Sequence, residues 1–287
     1  MNTSDQAFFL PVGTLPAGAG AGAGADSAGA AVLRATPTSH GPWSDRQQHG
    51  GATSAVLTRA LEQAADEAGL VGGHLARIAV DFLAPVPVGD VQVRAAVVRP
   101  GRKVALLRAE VGDGKRTWAS AQAWWRRVAP GTVPDLGLTQ LEPLPAPETV
   151  PSAIPDSDIA RFLARGYIAA VDWRPVDGHV VEPGPCTVWA RPQVPLVAGE
   201  TISPTQLTML LADAGSGVSA VLDPRTHLFT NVDLVASLLR QPEGEWISMR
   251  ATTMVDNAGG GTTTTVLGDV KGTFGQTLHT LFVAPHG

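Results

Sequence analysis

Leu210-Leu211-Ala212-Asp213-Ala214-Gly215-Ser216-Gly217-Val218-Ser219-Ala220-Val221-Leu222 is an apolar run broken by one carboxylate and two glycines. An acid set among Leu, Ala and Val is costly to bury unless it is hydrogen-bonded, so Asp213 has either a capping or a catalytic duty. As a cap it accepts from free helix N–H groups; as a catalyst it holds or deprotonates a water. The second candidate is His49-Gly50-Gly51, followed by Val56, Leu57, Ala60, Leu61 and Ala64 at helical spacing. Paired glycines let a ligand approach the open N–H groups of a helix start, where the macrodipole amounts to roughly half a positive charge. A tight turn with a capping histidine explains the same residues equally well. No covalent nucleophile is indicated, because Ser216 lacks a G-x-S-x-G elbow and Cys186 has no histidine close along the chain.

Such groups need a scaffold, and 287 residues with 44% hydrophobic content provide for one large domain or two ordinary ones. A net charge of -5 and a pI near 5.8, with no clustered basic face, disfavour nucleic acid as a partner. The single cysteine excludes an intrachain disulfide framework and a cysteine-only metal site, and it points to a reducing cytoplasm. The first residues carry no basic leader, and no apolar run approaches the ~20 residues of a membrane span. The expectation is a cytoplasmic protein with no membrane span, no metal and no cofactor.

In chain order, Phe8-Phe9-Leu10 and Ala31 to Thr36 read as a strand hairpin. The Gly- and Ala-rich run between them lacks a phosphate-loop ending and reads as a linker. A helix over Ala52 to Ala68 follows. Then come strand-like stretches at Leu75–Leu83, Val91–Val98, Lys103–Val111 and Thr117–Trp125, separated by turn residues as in an antiparallel meander. Residues 130–158 are proline-rich and read as a linker between an N-terminal unit (1–129) and a C-terminal unit (159–287). The second unit replays the first. Tyr167–Trp173 and Thr187–Arg191 form a strand pair, a helical region runs from Ser203 to Leu222, and Asn231–Leu239, Trp246–Met254, Thr262–Leu267 and Thr277–Val283 are strand-like.

Three phrases test the repeat. Ser54-Ala55-Val56-Leu57 matches Ser219-Ala220-Val221-Leu222, which sets Gln48 against Asp213. Val80-Asp81-Phe82 matches Val232-Asp233-Leu234. Arg94-Ala95 stands as far from Asp113 as Arg250-Ala251 does from Asp269, which sets Ala123 opposite His279. This repeat predicts a chain break near Gly215, with a short helix before Asp213 and the main one after it.

Gly41-Pro42-Trp43-Ser44 with Gln48-His49-Gly50-Gly51, Arg99-Pro100-Gly101-Arg102, Leu211-Ala212-Asp213, Asn231-Val232-Asp233-Leu234 and Gly244-Glu245-Trp246 resemble, in order and spacing, the double hot-dog (type II) acyl-CoA thioesterases. The resemblance implies an α+β tandem hot-dog, two antiparallel sheets each wrapped around a central helix, and association into homo-oligomers. It implies a hydrolase acting on acyl-CoA in fatty acid metabolism, releasing free acid and coenzyme A. By the same resemblance a water is held by Asp213, Asn231 and His279. His279 falls where the family has glutamine, and Gln276 lies three residues earlier on the opposite strand face. Backbone N–H groups at Ala214-Gly215 are the expected oxyanion donors, with His49, Gly50 and Gly51 as the lesser candidates.

Two other readings remain at this level. One is a non-catalytic acyl-CoA or acyl-carrier binding protein of the same fold. The other is a hot-dog dehydratase or hydratase using His49 and Asp213, although the H-x-x-x-G-x-x-x-x-P pattern is absent around His49.

Overall fold

The computed structural model describes residues 6–16, 29–134, 136, 144–152, 165–180 and 182–286. The Ala17–Ala25 run therefore lies outside the described residues, as do residues 135, 137–143 and 153–158 of the proline-rich stretch. The first half comprises β1 (Phe9–Leu15), β2 (Ala30–Ala35), α1 (Gly50–Glu67), β3 (Gly73–Phe82), β4 (Asp90–Arg99), β5 (Val104–Gly112) and β6 (Thr117–Arg127). The second comprises α2 (Gly166–Ala169), β7 (Val171–Asp177), β8 (Cys186–Pro192), α3 (Pro204–Ala212), α4 (Gly215–Val218), β9 (His227–Asn231), β10 (Asp233–Leu238), β11 (Ile247–Val255), β12 (Gly260–Asp269) and β13 (Gly272–Pro285).

Strand composition explains the layering. β6 alternates so that Ala119, Ala121, Ala123 and Trp125 are buried, the period of two that puts one face on the core. These small residues leave room for α1, which packs on β4, β5 and β6 and buries Ala52, Ala55, Val56, Leu57 and Leu61. The strands follow the order β1-β2-β4-β5-β6-β3-β10-β13-β12-β11-β8-β7, with β9 added to the end of β13. The second half thus mirrors the first. Instead of two separate sheets there is one continuous antiparallel sheet, joined where β3 pairs with β10.

At that junction Asp81 pairs with Asp233, and Phe82 N–H donates to Val232 O at 3.0 Å. Residues equivalent by sequence meet each other, as a two-fold axis through an antiparallel pair requires. The Arg94/Arg250 correspondence holds as well: Leu107 pairs with Ala123 as Thr263 pairs with His279.

The helix correspondence does not hold. The N-caps are His49 for α1 and Ser203 for α3, the latter in a capping box with Gln206. Gly50 precedes Asp81 by 31 residues and Pro204 precedes Asp233 by 29, so the fold sets Gly50 against Pro204. Gln48 is not the counterpart of Asp213, and the Ser-Ala-Val-Leu match is a coincidence of small, common residues. The break near Gly215 is present with its proportions reversed, since the nine-residue helix lies before Asp213 and only four residues follow it.

Two strand assignments also change. Tyr167 to Ala169 belongs to α2 instead of β7, and Asn231–Leu239 divides at Val232 into β9 and β10. Residues 144–152 lie against β7 and β8, where Trp189 Nε1 donates to Pro145 O at 3.0 Å and Arg174 Nη1 to Pro147 O at 2.8 Å. No helix among the described residues is long and apolar enough to cross a membrane.

Candidate active site

α1 and α3 lie side by side and antiparallel. Glu62, late in α1, accepts from Ser203 Oγ and Gln206 Nε2 at the start of α3. At the other end, Gly51 lies so close to α3 that a Cβ there would stand 2.2 Å from Leu210 O. This contact puts the start of α1 beside the end of α3, where Asp213 is the C-cap. His49, Gly50 and Asp213, distant in sequence and contributed by different halves, therefore share one cavity of about 460 Å³. Its walls are mainly apolar, with Trp43, Phe82, Ile168, Trp173 and Phe229 among them, and Asn231 and Ser216 add polar atoms. A few convergent polar groups in an apolar cleft of this size match the usual make-up of a small-molecule site.

Asp213 is buried at 3% exposure, and each of its carboxylate oxygens has a polar neighbour. Asn231 Nδ2 donates to Asp213 Oδ1 at 2.8 Å and to Asp213 O at 2.9 Å, while Ser216 Oγ donates to Asn231 Oδ1 at 3.0 Å. Both amide hydrogens of Asn231 thus serve Asp213, which makes Asn231 a positioning residue for the carboxylate. On the other side, His49 Nδ1 stands 3.1 Å from Asp213 Oδ2 and 3.0 Å from Gly51 N. The imidazole is clamped by Tyr167, stacked on it at 3.7 Å and 5°, and Tyr167 Oη donates to Leu210 O at 2.6 Å.

Burial raises the Asp213 pKa to about 6, against the Asn231 hydrogen bond and the Gly51 N–H that favour the charged form. Burial, reinforced by His279, lowers His49 to about 3. His49 is therefore neutral at ordinary pH, and its 3.1 Å approach to Asp213 Oδ2 is no ion pair. A neutral Nδ1 either accepts from Gly51 N–H or, as the Nδ1–H tautomer, donates to Asp213; it cannot do both.

The remaining sequence candidates fall elsewhere. His279 is on the inner face of β13 and fully buried, but it makes no hydrogen bond to Asp213 or Asn231, does not line the cavity, and lies behind Gly215. Gln276 is exposed on the outer face. The Ala214 N–H donates to Leu211 O at 3.0 Å, and Gly215 faces Thr265 and His279 instead of the cavity. The helix start at the site is that of α1, at Gly50 and Gly51 with His49 as its cap, because α4 is too short and turned inward.

Family comparison then decides the class. Residues 39–126 match the model of the acyl-CoA thioesterase N-terminal domain, and residues 138–283 match that of the C-terminal domain. The chain belongs to the acyl-CoA thioesterase family. This thioesterase is a thioester hydrolase with a tandem hot-dog fold. It is similar to a provisionally assigned thioesterase II from Thermobifida fusca YX (18% identity, 99% of this chain and 98% of that one, TM-score 0.71). A hot-dog protein of unknown function from Alicyclobacillus acidocaldarius is also similar (15%, 94% and 97%, 0.67). So is the acyl-CoA thioesterase II TesB2 from Mycobacterium marinum (12%, 83% and 91%, 0.60). No curated protein matches by sequence.

Sequence reasoning missed two residues of this candidate site. Tyr167 was hidden by its place in an apolar run that reads as a strand, and Ser216 was weighed only as a nucleophile. The Ser216–Asn231–Asp213 chain carries a prediction. Removing the amide in Asn231→Ala lowers kcat/KM by roughly 10–100-fold, the range of a hydrogen bond to a charged group. It also moves the acid limb of the pH profile upward, because the lost bond favours the carboxylate; a limb left at the wild-type position would take Asn231 out of this role.

Proposed function

We propose that this thioesterase hydrolyses acyl-CoA at the α1–α3 junction, with Asp213 as general base for an attacking water. The observation that carries this reading is the Asp213 carboxylate, held by Asn231 at 2.8 Å inside an apolar cavity and set against Gly50 at the N-terminus of α1. The thioester carbonyl lies toward the Gly50 and Gly51 N–H groups at the start of an eighteen-residue helix, where His49 Nδ1 accepts from Gly51 N–H in the absence of substrate.

Water attacks the carbonyl carbon as Asp213 takes its proton, and the oxyanion of the tetrahedral intermediate is held by those N–H groups. Collapse breaks the C–S bond, and the thiolate recovers the proton from Asp213. His49 sets the donors. When Asp213 is ionised its carboxylate favours the Nδ1–H tautomer, which donates to Oδ2 and leaves Gly51 N–H free for the substrate. When Asp213 is protonated, Nδ1 accepts instead. Activity therefore rises with pH through about 6, the Asp213 value, and the pH dependence of kcat/KM measures it. A profile flat from pH 5 to 8 would remove Asp213 as the base.

The test of function is release of free thiol from a panel of acyl-CoAs, followed with a thiol dye. Thiol release lost in Asp213→Asn supports the reading. Hydration of an enoyl-CoA without thiol release, or saturable acyl-CoA binding without turnover, would replace it by one of the other two.

A further inference from the structure

The two halves put different chemistry on the same strand lattice. In the first, Val97, Leu107 and Ala123 lie in register across β4, β5 and β6, and Ala109 pairs with Ala121. In the second, Thr253, Thr263 and His279 lie in register across β11, β12 and β13, and Thr265 pairs with Thr277. All five second-half side chains are buried. One inner face is apolar and its counterpart is polar.

Helix continuity supplies part of the reason. α1 satisfies most of its own backbone over eighteen residues, whereas nearly all the N–H and C=O groups of four-residue α4 belong to an end. Hydroxyls reach that exposed backbone. Thr263 Oγ1 is 2.7 Å from Thr253 Oγ1, which is 2.8 Å from Ser219 Oγ, and Ser219 Oγ donates to Gly215 O at 3.0 Å.

The rest of the patch has no such use within the chain. His279 Nδ1, His279 Nε2, Thr265 Oγ1 and Thr277 Oγ1 make no hydrogen bond, and they are four of the nine buried side-chain polar atoms in that condition among the described residues. Burial lowers His279 to about 4, against the charge of Asp233 and the Thr263 carbonyl, which faces the ring without completing a hydrogen bond. A neutral imidazole offers one donor and one acceptor, and each threonine hydroxyl offers both. Buried polar groups clustered in this way are normally satisfied by ordered water, which needs two to four partners.

We propose that His279, Thr265 and Thr277 bind buried water, and that this hydrated patch is the seat of the Gly215 bend that sets Asp213. Gly215 rests directly on it, since a Cβ there would stand 2.5 Å from Thr265 Oγ1 and 3.3 Å from His279 Cε1. His279, Thr265 and Thr277 are positioning residues, acting on Asp213 through Gly215. Only their effect on turnover depends on the hydrolase reading.

A high-resolution crystal structure of the full chain tests the site itself, with ordered water expected within hydrogen-bond distance of a His279 ring nitrogen and of Thr265 or Thr277 Oγ1. A dry patch overturns the proposal whatever the enzyme does. The triple variant Thr265→Ala/Thr277→Ala/His279→Ala installs the first-half residues, which the same lattice already accommodates. Hydrogen exchange at the amides of 214–216 should then speed up tenfold or more while α1 amides stay unchanged. In thiol release, kcat should fall at least tenfold with KM within twofold, and His279→Gln alone should retain both the water and the turnover. Wild-type exchange and kcat in the triple variant would overturn the role in seating Gly215. A wild type that holds the water and releases no thiol refutes the hydrolase reading and leaves the hydration site established.

Discussion

Asp213→Asn abolishes most of the activity while making the folded protein more stable above pH 6. Loss of a general base lowers kcat by roughly 10²–10⁴-fold. The opposite movement in stability follows from linkage. Folding raises the Asp213 pKa from 3.8 to about 6, so the folded state binds this proton more tightly than the unfolded chain. The resulting stabilisation is complete below pH 3.8 and is lost as pH rises through about 6. A shift of about two units corresponds to roughly 3 kcal/mol, an upper bound for the gain when the ionisable group is removed. The amide keeps an oxygen for the Asn231 Nδ2 donor. Thermal unfolding of both proteins at pH 4 and pH 8, beside thiol release, measures the two effects. A variant less stable than wild type at pH 8 would mean that the carboxylate is held as an ion by favourable contacts rather than strained by burial.

Gly51→Ala has the second-largest expected effect, and its sign is diagnostic. In an ordinary helix interior the exchange of Gly for Ala stabilises by up to about 1 kcal/mol. Here the new methyl would stand 2.2 Å from Leu210 O and 3.2 Å from both His49 Nδ1 and Tyr167 Cε2. The nearest atom is a backbone carbonyl on α3 that also accepts from Tyr167 Oη, so it cannot swing aside as a flexible side chain would. The helices must separate, at a cost of about 3 kcal/mol, and the melting temperature falls by about 6–12 °C. Leu210 lies three residues before Asp213, so turnover falls with it. Gly217→Ala is the control, because no atom lies within 4 Å of its added carbon. A Gly51→Ala protein as stable as that control would show that the α1–α3 approach is looser than the structure has it.

Both variants test one point in space at which two halves of the chain meet. Legibility in the sequence follows the distance over which each feature is specified. Alternation in β6, the helical spacing after Gly51 and the glycine beside Asp213 are local, and each element formed as its residues imply. The Asp81/Asp233 correspondence was also readable, because a duplicated strand keeps its inward and outward pattern and a one-residue slip would turn every side chain over. Helix register was not. Ser, Ala, Val and Leu suit many buried helix positions, so a four-residue match there carries little information.

Residue types alone established that Asp213 needed a partner, since an isolated carboxylate in an apolar run is too costly to leave unpaired, and the resemblance that named Asn231 for a shared site selected the residue now hydrogen-bonded to it. Tertiary structure alone decided the remainder: that the helix start at the site belongs to α1 of the other half, that Tyr167 clamps His49, and that His279 stands behind Gly215 instead of beside the carboxylate. These depend on how closely α1 and α3 approach and on which strand face covers α4. Such distances are set by packing between residues far apart in the chain, 64 positions from Gly215 to His279 and 118 from His49 to Tyr167, and no local pattern records them.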